Sequence, residues 1–208
     1  MRLSKIAGGR HCWVAALTAG MIFAGAALPA NAIGSYTATP LGTLGGSNIY
    51  ALGWGINSTG QVVGASYASP TSPHAFLFSG GSMQNLIPGA ASSVAYGISD
   101  NGQVTGTQGH AFLYSGGAVQ DLGTLPSGLS ATGTSVNVSG QVTGYSSTSP
   151  TFPMPTHAFP YSGGVMQDLG TLGGGKSMGY GINASGQVTG SSFITGSPVE
   201  HAFVYSAD

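Results

Sequence analysis

The sequence AYGISDNGQVTG at residues 95–106, followed by HAFLYSGGAVQDL at residues 110–122, decides the fold because the chain repeats it four times. The other copies have Gly-Gln-Val at residues 60–62, 140–142 and 186–188, and His-Ala-Phe at residues 74–76, 157–159 and 201–203. Repeats of about 40 residues are typical of arrays in which each unit buries its apolar faces against its neighbours. The pattern therefore indicates an architecture before it indicates any chemistry.

Each copy begins with a predicted β-hairpin. In the second copy, two short apolar runs flank the residues Ser99-Asp100-Asn101-Gly102. A short polar residue that opens the turn and a glycine that closes it are the signature of a type I turn, with the glycine in the left-handed conformation forming a bulge. The four turn glycines are Gly60, Gly102, Gly140 and Gly186.

A second hairpin follows in each copy, with Gly116-Gly117 as its turn in the second one. Neighbouring residues of a strand point to opposite faces, so the run Phe112-Leu113-Tyr114 requires cover on both sides. Four strands per unit with both faces covered predict an all-β fold: a repeat of four four-stranded units, propeller-like, as a closed ring or an open arc. Pro160 predicts a bulge or a locally unpaired backbone in the third copy.

The chain divides into two predicted parts. Residues 1–32 combine a basic start, an apolar run and the small residues Ala30-Asn31-Ala32, a pattern typical of a cleaved signal peptide. Residues 33–208 are predicted to be a single domain, without a membrane span, that is secreted or extracellular through bacterial export, the periplasm being the alternative. Its predicted units are residues 44–86, 87–122, 123–169 and 170–208, with residues 36–43 as a strand that completes the last unit and protects its edge.

The composition of the mature part excludes one class of partner. Lys176 is its only basic residue apart from histidines, against five acidic residues, which gives a net charge of −4. A surface with one lysine and no arginine has almost nothing to neutralise phosphates, so we expect no nucleic-acid binding. Since no cysteine remains after cleavage, packing and backbone pairing alone hold the domain together.

The length variation between copies is concentrated in one connector. From the histidine of one copy to the Gly-Gln-Val glycine of the next, the separations are 28, 30 and 29 residues. From that glycine to the histidine of the same copy they are 14, 8, 17 and 15 residues. Because this connector always joins the same two strands, we expect the variable loops on one rim, which is the usual place for binding in repeat arrays.

The motifs His-Ala-Phe, Leu-Gly-Thr-Leu-Gly-Gly, Gly-Ile-Asn and Gly-Gln-Val, at these spacings, resemble the HAF-repeat family of bacterial extracellular proteins. The resemblance covers residues 36–208. It implies export and a β-rich repeat, and it assigns no biochemical role.

Four histidines occupy the same place in the four copies: His74, His110, His157 and His201. One interpretation is a ring of metal ligands. The other is a buried structural hydrogen bond repeated once per unit. Symmetry alone explains their number, so we favour the structural role and expect neither a metal nor another cofactor.

Aromatic residues are the best binding candidates. Trp54, Tyr96 and Tyr180 share one repeat position, where Thr134 stands in the third copy. Flat aromatic faces suit a sugar-binding surface, and they suit packing between units equally well.

The acidic residues suggest no strong catalytic site. Asp121 and Asp168 are equivalent, with Asn85 in the first copy, and two carboxylates about 5 to 10 Å apart would serve glycoside hydrolysis. The sequence does not fix that separation, and it contains no nucleophile elbow, zinc-protease motif or phosphate loop. We expect an exported, non-enzymatic module that binds glycan or a surface partner through the loops between the two hairpins. The alternative is a structural or assembly protein of the envelope or matrix.

Overall fold

A computed structural model describes residues 37–45, 49–152 and 154–206. The predicted signal peptide lies outside these residues. The contacts divide the chain at Pro40, and the part from Leu41 onward is the body described below. In the described ranges every regular element is a strand, so no helix there is long and apolar enough to cross a membrane. The all-β prediction is confirmed.

The strands form four separate antiparallel sheets in chain order, one per predicted unit. The first unit contains β1 (Tyr50–Ile56), β2 (Val62–Ser69), β3 (Ser72–Ser79) and β4 (Ser82–Asn85). The second contains β5 (Val94–Ile98), β6 (Val104–Thr107), β7 (Ala111–Ser115) and β8 (Ala118–Gly123). The third contains β9 (Ala131–Val136), β10 (Val142–Ser147), β11 (Thr156–Ser162) and β12 (Val165–Met166), and the fourth contains β13 (Gly173–Ile182), β14 (Val188–Ile194) and β15 (Glu200–Tyr205).

The first hairpin of each unit turns as predicted. In the first unit the Gly60 N–H donates to the Asn57 carbonyl at 3.0 Å, and the Asn57 N–H donates to the Gln61 carbonyl at 3.1 Å. The four turn glycines all have φ between 76° and 82°, the left-handed region where a side chain is strained. The same bonds recur in the turns of the other three units.

In each unit a second glycine is required because a carbonyl of the first strand lies too close to it to leave room for a side chain. A Cβ on Gly64 would lie 1.9 Å from the Leu52 carbonyl oxygen and 2.9 Å from the Phe76 ring. The first strand of each unit bulges two residues before its end, and the carbonyl two positions ahead of the bulged residue lies over the glycine of the second strand. Gly106, Gly144 and Gly190 are equally crowded by the corresponding carbonyls.

Pro160 lies within β11, paired with Thr143 without a register shift. Its carbonyl accepts the Gln167 N–H at 3.0 Å, but its own nitrogen has no hydrogen to donate in return. The predicted bulge is therefore absent, and the backbone lacks only the one hydrogen bond that the Pro160 nitrogen cannot donate; β12 is the shortest strand of the described chain.

The sheets pack face to face in chain order, and each sheet has two faces that we name by direction. The leading face points to the next unit and, in the first unit, carries Val63, Ala75 and Leu77. The trailing face points to the preceding unit and, in the second unit, carries Val104 and Phe112. These five side chains form one core cluster, and Ala111, Leu113, Val142, Phe159 and Tyr161 form the equivalent cluster between the second and third units.

The predicted completing strand is not observed. Residues 37–43 form no strand, and within the described residues the fourth sheet has three strands, without a counterpart of β4, β8 or β12. In the same part of the chain, none of the four sheets closes on itself.

Candidate functional site

The candidate aromatic residues all lie at the same irregularity of the sheet. Trp54, Tyr96 and Tyr180 are the bulged residues of β1, β5 and β13, where the register with the second strand shifts. A bulge turns its extra residue away from the regular alternation of the strand. The three side chains are therefore not part of the core clusters between units.

Two ring pairs lie on the first two units. The rings of Tyr50 and Tyr67 are stacked, with centroids 4.4 Å apart and planes 14° apart. Trp54 and Tyr96 are 5.3 Å apart and tilted by 45°. Tyr50 is 39% exposed and Trp54 is 43% exposed, so both pairs reach the surface. We call these four residues the aromatic patch.

The two ring pairs are close enough for a tyrosine of one to affect the pKa of a tyrosine of the other. Burial raises the pKa of Tyr96, and the neighbouring Tyr145 and Tyr67 raise it further. Burial likewise raises the pKa of Tyr67, with Tyr50 as the second cause. Because both shifts are upward, these phenols stay protonated at neutral pH and keep an O–H donor at the surface.

Tyr180 stands apart from the aromatic patch although it occupies the same repeat position. Its hydroxyl lies 3.2 Å from Ser191 Oγ and 3.5 Å from Met178 Sδ, both in its own unit. In the third unit, Thr134 Oγ1 donates to the carbonyl of Gly179 at 2.8 Å and to that of Thr143 at 3.1 Å. The predicted aromatic array is therefore a patch on two units, and the position serves packing in the third.

Two of the four histidines make a hydrogen bond between neighbouring segments of one unit, but this bond is partly exposed, whereas a buried one was predicted in every unit. His110 Nδ1 lies 3.1 Å from Asp121 Oδ2, and His157 Nδ1 lies 2.8 Å from Asp168 Oδ1. Each pair connects the start of the third strand to the chain that returns beside it in the same unit, and each is partly exposed. Sequence reasoning missed this partner, although both pairs have the same separation of eleven residues.

The carboxylates of Asp121 and Asp168 also accept a hydrogen bond from the backbone. Asp121 Oδ1 accepts the Gly123 N–H at 2.8 Å, and Asp168 Oδ1 accepts the Gly170 N–H at 2.7 Å. This side-chain-to-backbone bond forms a turn where the fourth strand leaves its sheet for the next unit. The arrangement fixes the exit of the chain, and each carboxylate is already engaged by its own histidine and its own turn.

The first and last units lack the complete pair. In the first, Asn85 Oδ1 accepts the Ile87 N–H at 3.0 Å, but the buried His74 Nδ1 has no hydrogen-bond partner. In the fourth, His201 is exposed on β15. Within the described residues, no three His, Cys, Asp or Glu side chains come close enough to hold a metal ion.

The loops predicted to vary on one rim are shorter than the residue separations in the sequence suggest. In the first unit β2 and β3 extend to Ser69 and Ser72, so most of the connector is strand and only a tight turn remains. Tyr50 pairs with Tyr67 in the register at this end of the sheet, which places one ring pair of the aromatic patch at the rim. The longest remaining loop, between β10 and β11, exposes Phe152 and Met154.

Asparagine and glutamine side chains join the turns into a continuous ladder, which the sequence analysis did not anticipate. Asn57 Nδ2 donates to the Ser99 carbonyl at 3.2 Å, and Asn137 Nδ2 donates to the Asn183 carbonyl at 2.9 Å. Each bond connects the turn of one unit to the turn of the next. The glutamine of Gly-Gln-Val donates to the serine that ends the third strand, or directly follows it in the fourth unit, at Gln61–Ser79, Gln103–Ser115, Gln141–Ser162 and Gln187–Ser206.

Comparison of the chain with protein-family models and with curated proteins gave no match. The site is therefore interpreted from its own geometry.

Proposed function

We propose that this chain is an exported, non-enzymatic repeat domain that binds a neutral glycan through the aromatic patch. The observation that carries the proposal is the exposed stacked pair of Tyr50 and Tyr67 beside the pair of Trp54 and Tyr96. Flat rings bind the apolar faces of sugar rings, and phenol hydroxyls add directional hydrogen bonds. Stacking between the tyrosines also holds the rings in place before a ligand arrives, which reduces the entropy lost on binding.

Charge favours a neutral ligand. The aromatic patch contains no charged side chain, and the mature chain carries a net charge of −4 with one lysine. An anionic polymer would meet no compensating cation there, and the long-range repulsion would slow its approach. A neutral polysaccharide meets neither obstacle.

The test measures binding of the chain, purified after export and processing by the host, to a panel of neutral polysaccharides by affinity electrophoresis and calorimetry. Trp54→Ala and Tyr50→Ala should each weaken binding about tenfold or more, because each removes a stacking surface. Tyr180→Ala is the matched control, because Tyr180 has the same repeat position as Trp54 and is 51% exposed but lies outside the patch.

Two results would contradict the proposal. Failure to bind any neutral glycan at millimolar concentration would remove the ligand class. Binding that Tyr180→Ala weakens as much as Trp54→Ala does would remove the aromatic patch as its site. Circular dichroism of each variant distinguishes loss of the site from loss of the fold.

A second candidate function is assembly into an extracellular or envelope structure, in a propeller-like array of units. It is favoured by the two uncovered faces at the ends of the array.

A further inference from the structure

The fourth unit presents a leading face whose counterparts are covered. Thr189, Ala202 and Val204 are exposed on it, Val204 to 73%. In the first three units the next sheet covers the equivalent positions, which are Val63, Ala75 and Leu77, then Thr105, Ala111 and Leu113, then Thr143, Ala158 and the half-buried Pro160. The fourth face thus has the residue types of an internal interface and no sheet against it among the described residues.

The first unit presents the complementary surface. Its trailing face carries Ile56, which is 71% exposed, together with the half-buried Val62 and Phe78. In the later units this face packs against the preceding sheet, and the equivalents of Val62 are then fully buried: Val104, Val142 and Val188. We call the trailing face of the first unit the head face and the leading face of the fourth unit the tail face.

A cavity lies beside the outer edge of β15. Leu169, Leu172, Phe203 and Tyr205 are among the residues that line it. In the third unit the corresponding place is occupied by Met166 of β12, which packs against the cluster that includes Leu122 and Leu125. In the described part of the chain, no strand pairs with the outer edge of β15. The cavity therefore corresponds to the position of a fourth strand.

The start of the folded body is arranged as if another unit preceded it. The Leu44 N–H donates to Ser66 Oγ of the first unit at 3.2 Å. The same bond is made by Leu125 to Ser146 and by Leu172 to Ser192, where the leucine follows the fourth strand of the preceding unit. Residues 41–44 thus lie on the first unit in the place of an exit segment.

We propose that two copies of this chain associate head to tail, with the head face of one copy seated on the tail face of the other. The contact would repeat the interface between units, and residues 41–44 of the incoming copy would run past the free edge of β15 and its cavity. None of the residues named on either face is charged, so burial has no desolvation cost for ions. An interface of this kind is heterologous. The rotation that relates one copy to the next decides whether the assembly closes into a ring or extends into a filament.

The experiment measures molar mass by light scattering and analytical ultracentrifugation from about 1 µM to about 1 mM chain. The unmodified chain should increase in mass with concentration. Val204→Asp on the tail face and Ile56→Asp on the head face should each give a monomer throughout this range. Each chain has one head face and one tail face, so each substitution places an unpaired charge in every head-to-tail contact that the variant would form with itself. Val165→Asp is the control, since Val165 is 65% exposed on β12 and lies on neither face.

Mixing the two monomeric variants identifies the geometry. The Val204→Asp chain keeps a normal head face and the Ile56→Asp chain keeps a normal tail face, so the mixture should form a one-to-one heterodimer and nothing larger. An unmodified chain that stays monomeric at all concentrations would overturn the proposal. Self-association that persists in the Ile56→Asp chain would also overturn it, because the interface would then not include the head face.

Discussion

The third and fourth units have nearly the same sequence pattern and very different surroundings. Phe159 and Thr143 of the third unit are completely buried. Their counterparts Phe203 and Thr189 are partly exposed and exposed, although Thr189 Oγ1 donates to the Phe203 carbonyl just as Thr143 Oγ1 donates to that of Phe159. The local bonds are the same. Thr189 is exposed because, among the described residues, no sheet covers the leading face of the fourth unit, whereas Phe203, on the trailing face, is partly exposed beside the cavity where a fourth strand would lie. In this repeat, stability at a given position depends on the adjacent unit as much as on the residue.

The strongest way to test this comparison is to truncate the two phenylalanines. Phe159→Ala should reduce the free energy of unfolding by about 3–5 kcal/mol, because it removes a fully buried ring from a closed interface. Phe203→Ala should cost about 1–2 kcal/mol, because part of that ring is already in contact with water. Urea unfolding followed by circular dichroism measures both, and equal losses would contradict the incomplete burial of the Phe203 ring beside this cavity.

A smaller effect is expected at the boundary between the two units. Ser177 Oγ of the fourth unit accepts the buried N–H of Ala158 at 2.8 Å and donates to the Gly170 carbonyl. Ser177→Ala leaves the Ala158 N–H unsatisfied and should cost about 1–3 kcal/mol. Ser191→Ala, on the open side of the same unit, is the control, and its change should stay within about 0.5 kcal/mol. A Ser177→Ala chain as stable as the unmodified one in urea would show that water replaces this bond.

The histidine pairs allow the first unit to be compared with the third. Asp168→Asn should keep the bond to the Gly170 N–H but weaken the pairing with His157, at a cost of about 0.2–1 kcal/mol for a partly exposed pair. Asn85→Asp is the reverse change, because it offers His74 the carboxylate that the third unit has. It should stabilise the chain by a similar amount, and high salt should reduce both effects. Urea unfolding at low and high salt measures them, and a destabilising Asn85→Asp would contradict the equivalence of the two sites.

The smallest effect concerns a hydrogen bond between the turns of the first and second units. The Ser58 backbone N–H donates to Asp100 Oδ1 at 2.9 Å, and this bond, followed by the Ser58 hydroxyl, lowers the pKa of the Asp100 carboxyl. A lowered pKa means that the bond stabilises the fold above the ordinary carboxyl pKa and loses this effect as the pH falls through the lowered value. The difference in melting temperature between the unmodified chain and Asp100→Asn should therefore shrink as the pH is lowered from 7 to about 2. A difference that does not change with pH would mean that the carboxylate makes no contribution here.

Prediction from sequence succeeded where short-range chemistry decides the conformation. The left-handed glycines at Gly60, Gly102, Gly140 and Gly186 close their turns as expected, and paired hairpins followed from these turns and the apolar runs. The missing hydrogen bond at the Pro160 nitrogen also follows from the residue itself, because proline has no N–H in any fold.

The sequence failed where partners come from another strand or another unit. It did not pair His157 with Asp168, because eleven residues of separation become a contact only once the register of β11 with the returning chain is known. It placed Trp54, Tyr96 and Tyr180 in one array, whereas the packing brings Trp54 and Tyr96 together and leaves Tyr180 in contact with its own unit.

The sequence by itself determined four units, the first hairpin of each and the turn residues, because φ preferences and strand alternation act within a few residues. Only the tertiary structure decided which faces are covered and which side chains meet. A face such as that of Thr189, Ala202 and Val204 reads the same in the sequence whether or not a sheet lies against it. Burial is a property of the arrangement of units, and no single repeat specifies how many neighbours it will have.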